Sequence, residues 1–196
     1  MIERLLEIGK RVLTEPDIGR LLERAMDGAI EITGAERGLV ILFEEKEKAI
    51  FETARNLAKA DIENPKFQVS QTVIETVKKT GAPLYSHNIM QDEAFLQSRS
   101  AASLKLLSVI CLPLIFEKEI FGVVYLDNRS VLGAFEEKAF QFAKSFADFI
   151  SLAAHHALER KQLQNHIDAL EIALRDRYDF ANIVGAHPKM VDLLEL

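Results

Sequence analysis

The sequence contains very little that would support cross-linking or metal binding. It has a single cysteine, Cys111, no tryptophan and only five prolines in 196 residues. One cysteine excludes an intramolecular disulfide framework and a cysteine-based zinc site. Because Cys111 lies inside an apolar segment, we expect a small buried hydrophobic side chain there rather than a nucleophile. No metal cofactor is expected, and a small metabolite is the kind of bound molecule that the sequence leaves open.

Positive charge and long apolar runs are also scarce. The formal net charge is -6 at pH 7, which argues against broad electrostatic binding to nucleic acid or to an anionic membrane. No stretch approaches the roughly 20 apolar residues of a membrane-spanning helix. Residues 1–13 carry charges throughout and lack the basic-then-apolar order of a signal peptide. The sequence therefore predicts a cytoplasmic chain with no direct nucleic-acid partner and no membrane partner.

The spacing of apolar residues predicts helices alternating with short strands. Recurrence every three or four residues is typical of amphipathic helices, and short β-branched runs are typical of buried strands. The connection at 117–119 is too short for a parallel crossover, so the last two strands pair antiparallel. Pro113 cannot donate to a strand ladder and is expected at a bulge or an unpaired edge position. The predicted helices are 2–13, 18–33, 70–80 and 135–177, and the predicted strands are 38–43, 49–54, 83–86, 107–116 and 120–126. This order indicates an α+β fold with helices packed on a central antiparallel sheet.

The last predicted helix carries a long apolar repeat. From Phe135 to about Arg177 there is no proline or glycine, and one set of positions recurs at alternating steps of four and three, as in a coiled coil. Additional apolar residues in its first half predict packing on the sheet, whereas the second half has one narrow stripe suited to a partner helix. We therefore expect a parallel homodimer through residues 142–177, aided by residues 2–13. The predicted interface residues are Leu5, Val12, Phe142, Phe146, Phe149, Ala153, His156, Leu163, Ile167, Leu170 and Leu174.

Three stretches together resemble a known regulatory family. They are GAIEITGAERGLVILF at 28–43, LSVICLPL at 107–114 and IFGVVYLDNRSVLGAF at 120–135. Their order and spacing resemble the GAF domains at the front of sigma-54-dependent (NtrC-like) transcriptional activators, over residues of roughly 17 to 160. The resemblance implies a GAF fold with a long C-terminal helical arm. It also implies that a small effector binds between one face of the sheet and a loop-helix segment, and that the long helix relays the bound state.

A second resemblance lies at the C-terminus. Residues 180–190, FANIVGAHPKM, are similar to the opening of the AAA+ ATPase domain of these activators, with His187 where that family usually has serine. No G-x-x-x-x-G-K-[ST] phosphate-binding loop occurs in the sequence, so this fragment is not expected to be an enzyme. The implied organisation is an N-terminal helix at 1–13, a GAF domain at 14–160 with its C-terminal helix from 135, a coiled-coil-like linker at 161–179 and the start of an AAA+ domain at 180–196. The AAA+ domain of the full-length parent is the implied partner.

A polar segment between two predicted strands is the candidate effector pocket. It combines donors, acceptors and a fixed cation in an irregular region, where binding groups are often found. Arg99 would bind a carboxylate or phosphate with two parallel hydrogen bonds, and Arg55 is a weaker second cation. Asp127 and Asn128 are expected only to start a turn. The predicted pocket residues are Tyr85, Ser86, His87, Asn88, Arg99, Ser100 and Arg55.

Two functions remain open at this point. The first is a regulatory domain that binds a small-molecule effector and relays its state through the helical linker to the ATPase. The second is a ligand-free GAF domain that serves as a dimerisation and docking module. The polar groups at 85–100 favour the first function, and the apolar content of the strands is compatible with the second.

Overall fold

The helices and strands follow the predicted order. The computed structural model describes residues 2–44, 48–61, 69–89, 91–92, 95 and 104–177, and the chain divides into one unit of residues 1–158 and a second of residues 159–196. None of the described helices is long and apolar enough to cross a membrane. The helices are α1 (Ile2–Leu13), α2 (Ile18–Thr33), α3 (Gln71–Thr80) and α4 (Glu137–Arg177). The strands are β1 (Arg37–Glu44), β2 (Lys48–Asn56), β3 (Leu84–Ser86), β4 (Ser108–Phe116) and β5 (Glu119–Asn128). The predicted α+β class is confirmed.

Local sequence signals set the ends of α2 and α3. Asp17 caps α2, because its Oδ1 accepts a 2.9 Å hydrogen bond from the backbone N–H of Arg20 and satisfies one of the free donors at a helix start. Gly34 ends α2 at φ 71° and Gly81 ends α3 at φ 68°. Glycine adopts this left-handed conformation without a side-chain clash, so both helices stop at these residues.

The five strands form one antiparallel sheet in the order β2-β1-β5-β4-β3. In its centre, β1 and β5 pair Arg37 with Asp127 and Gly38 with Leu126. The short strand β3 pairs with residues 109–111 of β4, so within the described residues Pro113 has no strand partner on the side away from β5. A residue without an N–H is tolerated there, which confirms the predicted edge position of Pro113.

One face of the sheet, called the first face, is covered by α1, α2 and the first half of α4. Its core is almost entirely apolar, and the helices approach each other closely. A Cβ on Gly28 would lie 2.5 Å from Cγ2 of Ile8, so the crossing of α1 and α2 requires glycine. The larger buried side chains of this core are Ile8, Val12, Ile18, Leu21, Leu22, Met26, Ile30, Val40, Leu42, Ile110, Leu112, Leu114, Val124, Leu126, Phe135, Phe146 and Ile150.

The opposite face of the sheet, called the second face, packs against α3. Apolar residues spaced along α3 point toward the strands, so this side has a separate core. Its buried members are Leu39, Ile41, Phe43, Ala54, Val69, Val73, Ile74, Val77, Ile89, Phe95, Leu106, Val109, Cys111, Val123 and Tyr125.

The structure divides the predicted dimer interface between two environments. Val12, Phe146 and Ala153 are buried in the first-face core, with exposures of 0%, 1% and 4%. They therefore stabilise the chain itself and do not face a second copy, which corrects the predicted set. The four-and-three repeat of apolar residues does not distinguish the two environments, because the sheet buries a wider stripe of α4 than a partner helix would. Leu152, which the prediction omits, is 43% exposed.

The remaining interface residues retain some exposure where the structure describes them. In the second unit, Leu163, Ile167, Leu170 and Leu174 are 64%, 48%, 52% and 54% exposed. Their steps of four, three and four residues place them along one side of α4. These four side chains are therefore exposed to solvent, as is Ile172 outside the stripe, at 62%. Phe142 and Phe149 are half-buried and His156 is exposed, whereas the side chain of Leu5 lies outside the described part of the chain.

Candidate functional site

The candidate site lies where the second face changes from apolar to charged. Side chains along a strand alternate between faces, so Asp127 and Arg129 follow Tyr125 on the second face. Arg37 joins them because the register places it directly opposite Asp127. These four residues are called the buried ion cluster.

Asp127 is the centre of the buried ion cluster. Its side chain is 0% exposed, and its Oδ1 accepts a 2.9 Å hydrogen bond from Nε of Arg37. Its Oδ2 accepts from the hydroxyl of Tyr125 at 3.2 Å and from Nη2 of Arg129 at 3.4 Å. A buried carboxylate is tolerated only when it is paired and hydrogen-bonded in this way.

Tyr125 connects the cluster to α3. Its hydroxyl accepts a 3.4 Å hydrogen bond from the backbone N–H of Ser70, the residue that precedes α3. The same hydroxyl donates to Asp127. The cluster therefore joins two central strands to the start of the helix that covers the second face.

Burial shifts the pKa values of the cluster. It raises the pKa of Asp127 above its usual 3.8, although the charges of Arg37 and Arg129 act in the opposite direction. Burial, reinforced by the charge of Asp127, also raises the pKa of Tyr125 well above 10.0. The Tyr125 hydroxyl therefore keeps its proton at neutral pH and remains a donor.

Glu36 lies beside the cluster and behaves differently. Burial raises its pKa, but hydrogen bonds from Ser130 and from the backbone N–H of Arg129 outweigh this effect, so the pKa falls below its usual 4.5. The Arg129 N–H lies 2.8 Å from Oε2 of Glu36. Glu36 thus fixes the start of the loop that leads from β5 to α4.

Arg37 has hydrogen-bonding capacity left over. Its hydrogen bond to Asp127 uses Nε, and within the described residues neither Nη meets an acceptor. The side chain is 19% exposed. Because a guanidinium group presents a fork of donors that suits carboxylates and other planar acceptors, Arg37 is the described cation best placed to bind a polar group at the second face.

The predicted pocket residues Tyr85 and Ser86 lie on opposite faces. Tyr85 packs against the first-face core, and its hydroxyl donates to the carbonyl of Phe135 at 2.8 Å. Ser86 is 7% exposed and pairs with Val109 of the second face. The predicted single wall is therefore corrected: Ser86 faces the second-face core, whereas Tyr85 faces the helices of the first face.

The residues after Tyr85 and Ser86 lie nearer the surface. His87 is exposed, with its ring nitrogens 3.0 Å from the Tyr85 hydroxyl. Asn88 is half-buried. Arg99 and Ser100 lie outside the described residues, so their predicted role in the pocket stays a prediction.

Arg55 has a structural role. Its Nε and Nη2 donate to the two carboxylate oxygens of Asp27 at 2.9 and 3.1 Å, and Nη1 donates to Asp61 at 2.6 Å. These hydrogen bonds, that with Asp27 above all, raise the pKa of Arg55. Arg55 therefore ties β2 to α2 on the helix side of the sheet, away from the second face.

Sequence reasoning missed Arg37, Asp127 and Arg129. Asn128 does start the predicted turn, because its Oδ1 accepts hydrogen bonds from the N–H groups of Ser130 and Val131 at 3.1 and 2.8 Å. Asp127, however, is buried and does not belong to that turn. The available signal was alternation along β5, which puts Asp127 on the same side as the buried Tyr125.

Cys111 lies in the second-face core and is completely buried. Burial raises the pKa of its thiol far above the usual 9.0, so the thiolate needed for nucleophilic chemistry is not formed. This confirms the expected buried hydrophobic role. Within the described part of the chain, no three side chains of the metal-binding types come together.

A family model described as "GAF domain" matches residues 17–154. Among curated proteins, the chain is similar to "Nitrogen fixation protein AnfA" of Azotobacter vinelandii, with 21% identity over 203 residues. The match covers 100% of this chain and 38% of AnfA. The chain therefore spans less than half the length of this curated relative.

Solved structures show the same fold at low identity. One is the GAF domain from an Acinetobacter phosphoenolpyruvate-protein phosphotransferase, with a TM-score of 0.61 and 15% identity, over 81% of this chain and 94% of that chain. Another is the free methionine-R-sulfoxide reductase from Neisseria meningitidis in complex with its substrate, with a TM-score of 0.61 and 17% identity, over 80% and 89%. Similarity at this level concerns the fold alone.

Proposed function

The chain belongs to the GAF domain family, and from this premise we propose that it is the regulatory domain of a sigma-54-dependent transcriptional activator. It binds a small-molecule effector at the second face of the sheet and relays the bound state through α4 to an AAA+ ATPase. The similarity to AnfA supports this setting, as do the sequence resemblances at 107–114, 120–135 and 180–190. No enzymatic activity is proposed for this fragment.

The buried ion cluster is the observation that carries the effector proposal. Ligand sites are typically apolar surfaces with a few fixed polar groups. The second face has this composition, because its apolar core ends at Arg37, whose Nη groups meet no acceptor within the described residues. An effector with a carboxylate or another planar acceptor would bind Arg37 with its polar group and the second-face core with its apolar part.

The connections of the cluster suggest how binding is relayed. Tyr125 contacts the residue before α3, and Arg129 is separated from α4 only by the loop 130–136. An effector that binds one arrangement of these connections better than another shifts the population toward it. The size of the response is limited by that difference in affinity.

The effector proposal is tested by native mass spectrometry of the purified chain. A thermal-shift screen against small acids, amino acids and nucleotides follows. We expect a compound that co-purifies with the chain or raises its Tm, and that loses this effect in Arg37→Gln. Arg55→Gln is the matched control, because Arg55 is also an ion-paired arginine but lies away from the second face. An effect that is lost equally in both variants, or a chain that no compound stabilises, would contradict the effector proposal.

A ligand-free dimerisation module is the second candidate function. The exposed stripe Leu163, Ile167, Leu170 and Leu174 favours it, because an amphipathic helix of this kind gains stability by burying its apolar side against a partner. A homodimer through this stripe is also compatible with effector binding. A dimer whose Tm responds to no compound would make the ligand-free module the better interpretation.

Light scattering on the full chain tests the dimer directly. We expect the mass of two chains for the wild type and the mass of one chain for the double variant Leu163→Glu with Leu170→Glu. Gln162→Glu is the control, since it adds one negative charge, as each change of the double variant does, at a neighbouring exposed position outside the stripe. A monomeric wild type, or a double variant that still dimerises, would refute an interface at this stripe.

A further inference from the structure

The exposed stripe of α4 carries information about the partner that would cover it. Leu163, Ile167, Leu170 and Leu174 are 64%, 48%, 52% and 54% exposed, and they follow one another at steps of four, three and four residues. In a heptad whose positions are written a to g, a step of three leads from a to d, and a step of four leads from d to the next a. Ile167 and Leu174 therefore occupy a positions, whereas Leu163 and Leu170 occupy d positions.

The residue types at these positions indicate how many helices associate. A β-branched residue at a together with leucine at d favours two parallel helices, whereas isoleucine at d favours larger assemblies. The stripe has leucine at both d positions, Leu163 and Leu170, and the β-branched Ile167 at one of its a positions. One further helix with the same pattern fits this stripe, and a second copy of the chain supplies such a helix.

The residues beside the stripe distinguish the two directions in which the second copy could lie. In a parallel pair, the residue at g faces the e residue of the next heptad on the partner. His166 is at g and Glu171 is at the following e, so His166 of each chain would face the partner's Glu171. In an antiparallel pair, g faces g and e faces e. His166 would then lie opposite Ala173, and Glu171 would lie opposite Gln164.

Both side chains are available for the parallel contact. His166 and Glu171 are exposed, and neither forms a hydrogen bond or an ion pair within the described residues. A histidine ring carries an N–H in its charged and in its neutral form, so it donates to a carboxylate in both. The preceding parallel pair, Glu159 with Gln164, contains one charge and adds no like-charge repulsion. The charge pattern therefore favours the parallel direction.

We propose that a second copy of the chain docks on this stripe in a parallel, in-register orientation, with His166 of each chain hydrogen-bonded to the partner's Glu171. The inference rests on the homodimer of the second candidate function and adds its direction and register, whereas effector binding does not depend on it. Ile172, at 62% exposure, occupies an f position on the opposite side of the helix, and this partner leaves it uncovered.

An exchange of charges across the interface tests the pairing. Sedimentation equilibrium of the full chain measures the dissociation constant of the dimer. We expect His166→Glu to weaken the dimer about tenfold, because like charges then face each other twice in each dimer. Adding Glu171→Lys should return the dissociation constant to within about threefold of the wild type, because both contacts are attractive again.

The control for this exchange combines His166→Glu with Asp168→Lys. Asp168 is exposed and occupies a b position, so the net charge is the same as in the exchanged variant but the lysine does not face residue 166 of the partner. We expect no recovery in this control. Equal recovery in both combinations, or none in either, would overturn the pairing and leave the dimer in place. A monomeric wild type would overturn the dimer and the pairing together.

Disulfide cross-linking with oxidised glutathione tests the direction separately. In a parallel pair, Leu163→Cys places the two new thiols opposite each other at d. In an antiparallel pair, Leu163 lies opposite Leu174, so the two thiols are about 16 Å apart along the helix, too far for a disulfide. Cys111 is completely buried and does not compete.

We expect Leu163→Cys to cross-link and Ile172→Cys, on the opposite side of α4, to remain unlinked. A Leu163→Cys chain that sediments as a dimer without cross-linking would overturn the parallel orientation. Cross-linking of Ile172→Cys at the same rate would overturn the assignment of the interface to the stripe.

Discussion

The two faces of the sheet are buried by different means. The first face is covered by three helices, and its core consists almost only of apolar side chains. The second face ends in a carboxylate, Asp127, that is fully buried between Arg37 and Arg129. Apolar burial is non-directional and tolerates rearrangement, whereas a buried ion requires each of its partners. Both faces have an apolar core, but only the second also buries a charged cluster, and such costly polar groups are typical of functional sites.

The largest expected effect comes from breaking the first face. Phe146 is 1% exposed, so Phe146→Ala should lower the free energy of unfolding by about 3–5 kcal/mol through lost burial and a new cavity. Urea denaturation measures this. Lys144→Ala, at an exposed position of the same helix, should change the free energy of unfolding by no more than about 0.5 kcal/mol. If Phe146→Ala lowered the free energy of unfolding no more than the control does, Phe146 would not belong to the core.

A smaller loss is expected from breaking the second face. Arg37→Gln removes one partner of the buried Asp127 while Arg129 remains, so we expect a loss of about 1–3 kcal/mol in urea denaturation. Adding Asp127→Asn should recover part of it, because the unpaired charge is then gone. If the loss in free energy of unfolding of the double variant equals the sum of the losses of the two single variants, the two side chains do not interact.

A change that touches neither core should stabilise the chain. Replacing Glu117-Lys118 by Asn-Gly relieves the positive φ angles of both residues, and we expect a gain of about 1–2 kcal/mol in the free energy of unfolding. The gain should appear in urea denaturation without any change in slope. Lys118→Gly alone should give part of the gain, and a loss of stability would contradict the described turn.

The smallest expected effect is a difference between Asp127 and Glu36 in how their contributions to stability depend on pH. The raised pKa of Asp127 means that the folded chain binds its proton more tightly than the unfolded chain does. Its contribution to stability is therefore greatest below the unfolded pKa and falls as pH rises through the folded value. Glu36, with a lowered pKa, contributes above its unfolded pKa, and this contribution is lost as pH falls through the folded value. Carboxyl carbon NMR titration should show the midpoint of Asp127 above 3.8 and that of Glu36 below 4.5. A midpoint of Asp127 at or below 3.8 would refute the described burial of Asp127.

Much of the fold could be predicted because its signals are local. The spacing of apolar residues along α2 and α3 is a property of neighbouring residues, and the helices that it predicts are confirmed. The GAF fold is likewise confirmed by the family match over residues 17–154. The site was harder to predict, since a polar segment such as 85–88 gives no indication of which face each side chain occupies until β3 is paired.

The interface prediction failed in part for a similar reason. Phe146 and Ala153 satisfy a coiled-coil repeat and also the stripe that a sheet buries, and the sequence does not distinguish the two partners. Only the packing of α4 on the sheet shows that these residues are internal and that Leu152 is not. The stripe Leu163, Ile167, Leu170 and Leu174 is exposed, as is Ile172 outside it, and its role as a dimer interface stays a prediction.

The sequence by itself determined the order of the helices and strands, the C-terminal ends of α2 and α3, the buried state of Cys111 and the family resemblance. Each of these depends on residues that are close together in the chain. Only the tertiary structure decided that Arg37 meets Asp127, 90 residues away, and that Tyr125 joins them to α3. The physical reason is that the energy of a buried charge depends on which groups the fold brings within hydrogen-bond distance, and strand register, rather than local sequence, sets that distance.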